Sequence, residues 1–80
     1  MNTLAVRLDP DAIDVEVTDS VLRLTLADGR ELSAPVEWFP SLRDATEGQR
    51  RNWRLIGGGE GIHWPELDED IAVSTLLRSS

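Results

Sequence analysis

The chain has no cysteine, no lysine and no tyrosine, and only one histidine, one methionine and one phenylalanine in 80 residues. Without cysteine there are no disulfides, no thiolate metal sites and no cysteine nucleophile, and a reducing, cytoplasmic setting is the natural expectation. Without lysine, eight arginines face 15 acidic residues, for a net charge of −7. Nucleic acid rewards basic surfaces, so direct nucleic-acid binding by this chain alone is not expected. No stretch of about 18 apolar residues exists to cross a membrane, and the opening "MNTLAVRLDPDAID" has no basic leader. A chain of this size is expected to form one domain over residues 1–80, burying only roughly 60 to 65 % of its unfolded surface, so its core must be used efficiently.

The clearest pattern present is "IDVEVTDSVLRLTLADGRELSAPVEW". Ile13, Val15 and Val17 alternate with Asp14 and Glu16, and Leu22, Leu24 and Leu26 with Arg23 and Thr25, the period-2 signature of half-buried strands. Asp28-Gly29 suits a type I′ turn joining residues 22–27 to residues 30–34, and Thr18-Asp19-Ser20 suggests an earlier turn of the same sort. A three-stranded antiparallel meander follows, with a further strand expected at residues 4–8. Pro35 and Pro40 end the strand region because neither can donate to a ladder. Ser41 is a candidate helix cap, and Thr46 with Gln49 has the capping-box spacing. The short helix starting there would place Arg50 and Arg54 on one face with Trp53 turned inward. The predicted fold class is therefore α+β: a meander, a second short hairpin, one or two short central helices and a short C-terminal helix capped at Ser74, with Leu76 and Leu77 beneath the sheet.

That second hairpin is "RLIGGGEGIHW", where Gly57, Gly58, Gly59 and Gly61 supply a structural turn needing positive φ at several positions and Pro65 closes the segment. The glycine run lacks the lysine of a Walker loop and the following helix of a dinucleotide fingerprint. Glu60 inside it also opposes an anion. His63 with Asp68, Glu69 and Asp70 is a thin metal constellation, having one imidazole and none of the EF-hand spacing. A histidine bonded to a neighbouring carboxylate is the simpler expectation. No serine lies in a nucleophile-elbow motif. No catalytic residue, metal or cofactor is assigned.

Three tryptophans in so short a chain are first of all bulk for a small core. Trp38, in "PVEWFP", is the one suited to stand partly exposed as an interface anchor, and arginine is its usual companion at such sites.

The segments "DGRELSAPVEWFPSL" and "WRLIGGGEGIHWPELDEDIAVSTLL" resemble a small bacterial family known as domain of unknown function number twenty-four forty-two. Asp28, Gly29 and Arg30, the run Trp38-Phe39-Pro40, Leu42 and residues 53–71 carry the match, while Glu60 stands where the family often has an aromatic. The resemblance implies a compact α+β domain with a meander sheet and no assigned activity. Members are often encoded beside another small protein in an arrangement similar to a toxin–antitoxin pair, and some carry an added C-terminal helix-turn-helix, which these 80 residues do not supply.

The leading functional expectation is a non-enzymatic protein-binding module, the acidic partner of a small basic protein, with Trp38, Arg50, Arg54, Glu66, Asp68 and Asp70 as contact residues. Two alternatives stand beside it. One is a small-ligand or metal-binding protein centred on the glycine-rich hairpin, with His63, Trp64 and Asp68. The other is a regulatory domain that forms a homodimer and acts on DNA only through a partner.

Overall fold

The computed structural model describes residues 8–79. β1 (Ala12–Val17), β2 (Val21–Leu26) and β3 (Glu31–Pro35) form an antiparallel meander. A turn of 3-10 helix at Val36–Trp38 and two short helices, α1 (Pro40–Arg43) and α2 (Glu47–Arg51), lead to a second meander of β4 (Arg54–Ile56), β5 (Gly61–Trp64) and β6 (Glu69–Ala72). The chain then turns directly into α3 (Val73–Ser79). The α+β architecture is as predicted, with β6 making the second hairpin a three-stranded sheet. The strand expected at residues 4–8 falls outside the described residues, apart from Leu8, which is irregular and exposed.

One buried cluster draws on both sheets. Val15, Leu22, Leu24, Leu26 and Ala34 come from the first, Ile62, Trp64 and Ile71 from the second, and Val36, Leu42, Val73 and Leu76 from the connecting turns and helices. Trp64 is completely buried, and its indole N–H donates to the Arg50 carbonyl. An indole of that size removes roughly 150 to 250 Å² from water, and the single polar atom it brings inside is satisfied. Leu76 lies in the core and Leu77 is partly buried, as expected of the last helix.

Several local expectations are corrected. Ile13 was placed on the inner face, but a β-bulge between Ala12 and Asp14 leaves it 56 % exposed and turns the small Ala12 inward. The Asp28-Gly29 turn is not type I′: Gly29 alone has positive φ, and its N–H bonds to the Leu26 carbonyl while the Leu26 N–H bonds to Arg30. This is the three-residue loop ending in a left-handed glycine. The Asp28 carboxylate accounts for the choice, since from this position it accepts from the Arg30 guanidinium, the Arg30 N–H and the Asp9 N–H. Asp19 and Ser20 likewise keep negative φ, with the Thr18 hydroxyl taking the Ser20 and Val21 N–H groups while the Thr18 N–H donates to the Val21 carbonyl.

The helix starts also shift. Phe39, with no side-chain bond, caps α1, and Pro40 sits in its first turn. The Ser41 hydroxyl lies inside α1 and donates to Glu69 instead. Ser74 is within α3, which begins at Val73 because that residue's N–H is held by the Glu60 carbonyl. The Thr46–Gln49 capping box is present in full.

The glycine run builds the junction between the two sheets. The Gly59 N–H bonds to the Ile56 carbonyl, and Gly57 and Gly58 between them have φ of 60° and 71°. Gly59 follows at φ 114°, and its carbonyl accepts the Ala12 N–H at 2.8 Å. A Cβ on Gly59 would lie 2.7 Å from the Ala12 carbonyl oxygen and 2.8 Å from the Asp11 Cβ, so only glycine permits this approach. The loop thus clasps the start of β1 through Gly59 and the start of α3 through Glu60.

Candidate functional site

The predicted contact residues do not all gather. Arg50 and Arg54 do not share a helix face: α2 ends at Arg51, and Arg54 opens β4. The Trp64 indole occupies the Arg50 carbonyl at the helix end, and Trp53 leaves the helix to pack partly buried against the core. Arg50 is turned inward as a clamp. Its Nε and one terminal nitrogen donate to the carbonyls of Leu42 and Arg43, and the other donates to Asp19. One guanidinium therefore ties the C-terminal end of α1 to the β1–β2 turn.

Trp38 is mounted differently. Val36, two residues before it, is fully buried, and its N–H is held by the Ser20 carbonyl. The Phe39 N–H returns to Val36, and Phe39 packs partly into the core. With Pro35 at φ −60° on one side and Pro40 opening α1 on the other, the backbone beneath Trp38 has little freedom, yet the residue remains 53 % exposed. Nearby on the chain, Arg43 bridges Glu37 and Asp44. Those contacts hold the Arg43 guanidinium above its ordinary pKa, Asp44 contributing most, and hold the Asp44 carboxyl below its own.

Two side-chain bonds tie the β5–β6 loop and the start of β6 to the central helices. Ser41, three residues from Trp38, donates to Glu69 at the start of β6, and Asn52 donates to Glu66 in the β5–β6 loop. That loop turns over Pro65, with Leu67 N–H bonded to Trp64 and Asp68 at φ 50°. Glu66 and Asp68 are exposed.

Asp70 lies opposite His63 in register, and its carboxylate engages His63 Nδ1. Glu69 and Asp70 are consecutive on a strand and so project to opposite faces of the second sheet. The Ser41–Glu69 and His63–Asp70 pairs are therefore separated by the sheet, and the hydroxyl, imidazole and carboxylate of a nucleophilic triad do not assemble here. Among the described residues no three histidine, aspartate or glutamate side chains lie together as a metal site would require. Asp68 does not join His63, which leaves the metal reading with one His–Asp pair.

The outward face of the second sheet was not singled out by the sequence. Ile56, Gly61 and Ala72 form one cross-strand row on it, and Arg54, His63 and Asp70 form the next. Finding those rows requires the strand register, which the short apolar runs do not specify.

A family model described as "Protein of unknown function (DUF2442)" matches residues 12–80. The chain belongs to that family. Two solved structures share its fold. A protein of unknown function from Rhodospirillum rubrum superposes with a TM-score of 0.71 at 22 % identity, over 86 % of each chain. The uncharacterized protein CV0863 from Chromobacterium violaceum gives 0.71 at 26 % identity, over 85 % of this chain and 64 % of that one. No curated protein matches the chain. Among the described residues no helix is long and apolar enough to cross a membrane.

Proposed function

We propose that this member of the family is a non-enzymatic protein-binding module, whose contact surface is centred on Trp38 and bordered by the acidic β5–β6 loop, and whose partner is a basic protein as in an antitoxin-like pair. The observation that carries this reading is the exposure of Trp38 on a proline-framed, core-anchored turn. A rigid, exposed indole loses little entropy when a partner covers it, and tryptophan is strongly enriched among residues that dominate binding energy. Glu66 and Asp68, in the loop that leads to the Ser41–Glu69 contact, add negative charge, which speeds encounter with a basic partner more than it tightens the complex. Arg50 is withdrawn from the contact set because its donors are committed internally, while Arg54 and Asp70 lie on the other face of the second sheet.

The test is co-expression with the protein encoded next to it in the native host. Trp38→Ala is expected to keep the wild-type melting curve within about 0.5 kcal/mol, since it removes a half-exposed side chain, and to weaken the complex by about tenfold or more. Asp68→Arg is expected to slow association and flatten its salt dependence. Undiminished binding in both variants would refute this surface. A mass that rises with concentration on gel filtration, in the absence of a partner, would favour the homodimeric regulatory reading instead.

A further inference from the structure

We propose that the outward face of the second sheet carries a second docking trough, which takes a short basic segment of a protein partner with one apolar side chain seated over Gly61 and Ala72. This rests on the protein-binding reading above but concerns a different surface. Two adjoining cavities of about 450 Å³ and 260 Å³ meet at Glu60 and Ala72 and run from Ile56 on β4 to the side of α3. Their floor is low because of the residues beneath it: Gly61 has no side chain and Ala72 has one carbon. A larger residue at Gly61 would be crowded, as a Cβ there would lie 3.2 Å from both Ile56 Cγ1 and the Ile71 carbonyl oxygen, so these neighbours would have to give by a few tenths of an ångström. The wall formed by Ile56 is 42 % exposed, an apolar surface that the described part of the chain leaves uncovered.

The charge around this floor selects the occupant. Glu60 lines both cavities, Asp70 lines one and Asp11 the other, and among the described residues no arginine or histidine lines either. Asp70 is compensated in part by His63, with Arg54 in the same cross-strand row. The Glu60 and Asp11 carboxylates have no ion pair among the described residues. An apolar depression rimmed by carboxylates, two of them without an ion pair among the described residues, is complementary to a segment that alternates apolar and basic side chains, and it disfavours acidic segments, including another copy of this acidic chain. An arginine or lysine of the partner would meet Glu60 at the middle of the trough.

The probe is an end-blocked nonapeptide alternating arginine and leucine, titrated into the full chain while backbone amide and indole NMR signals are followed. Shifts are expected at Ile56, Gly61 and Ala72, with the Trp38 indole unmoved. Glu60→Gln and Ala72→Arg, both at exposed positions, should each weaken binding by about tenfold, and Glu31→Gln, exposed at the start of β3, should not change it. Equal binding by all variants, or shifts spread over every acidic surface, would overturn the proposal as mere charge attraction, and so would absence of binding at millimolar peptide. Concentration-dependent self-association abolished by Ala72→Arg would assign the trough to a second copy and likewise overturn it. The two surfaces fail separately. Loss of the native partner with Trp38→Ala but not Ala72→Arg would leave the Trp38 reading intact and remove the trough from that complex.

Discussion

At the scale of single residues, three glycines test how far the loop is made by backbone requirement. Gly59 combines φ 114° with a close approach to the Ala12 carbonyl, so Gly59→Ala should destabilise by at least about 2 kcal/mol in urea unfolding followed by tryptophan fluorescence. Gly58 has φ 71° but open space around its missing Cβ, and Gly58→Ala should cost only about 1 to 2 kcal/mol. Gly48 lies in α2 with neither constraint, and Gly48→Ala should stabilise by about 0.5 to 1 kcal/mol. Any other order among the three would contradict the structural reading of the loop. Asp28 provides a separate residue-scale test by pH. The Arg30 guanidinium, foremost, together with the Arg30 and Asp9 N–H groups, lowers its carboxyl from 3.8 to about 2 despite the opposing effect of desolvation. A carboxyl depressed on folding contributes stability that is complete above its unfolded value and is lost as pH falls toward its folded one. Wild-type stability should therefore decline between about pH 4 and pH 2, and Asp28→Asn should show a shallower decline over that window.

At the scale of elements, α2 has only five residues and no fully buried side chain, so its ends must hold it. Thr46→Ala removes one half of the capping box and should cost about 1 kcal/mol by thermal or urea unfolding. Arg50→Lys is expected to cost about 2 kcal/mol, because a single ammonium cannot serve the Leu42 and Arg43 carbonyls and Asp19 together. Recovery of full stability in Arg50→Lys would mean that the clamp contributes only charge. These elements also show what a sequence does and does not display. Alternation in the β2 leucines and the Thr46–Gln49 spacing were legible because each depends on neighbours within a few residues. The β1 bulge was not, because Ile13 offers a stronger apolar signal than Ala12, and the bonds at the bulge, Ala12 N–H to the Gly59 carbonyl and Ala27 N–H to the Asp11 carbonyl, join residues far apart in the chain. The end of α2 was hidden for the same reason, being set by the indole of Trp64, 14 residues away. For the candidate surfaces, the proline frame around Trp38 already suggested an exposed ring, whereas the Gly61–Ala72 trough depends on register between three strands and had no local signature.

At the scale of the whole molecule, two small meanders become one body because they share a core and are clasped by the glycine loop. The loop serves the fold, and the proposed trough runs along it through Glu60 and Gly61. The clasp consists of two backbone bonds, Ala12 N–H to Gly59 and Val73 N–H to Glu60, both donated by buried residues. Native-state hydrogen exchange at these two amides tests the arrangement most directly. If the clasp joins the sheets into one cooperative unit, both amides should open with the same free energy as global unfolding measured by denaturant. Opening several kcal/mol more easily than the Leu24 amide at the centre of the first sheet would show that the two meanders separate while each remains folded, and would contradict the claim.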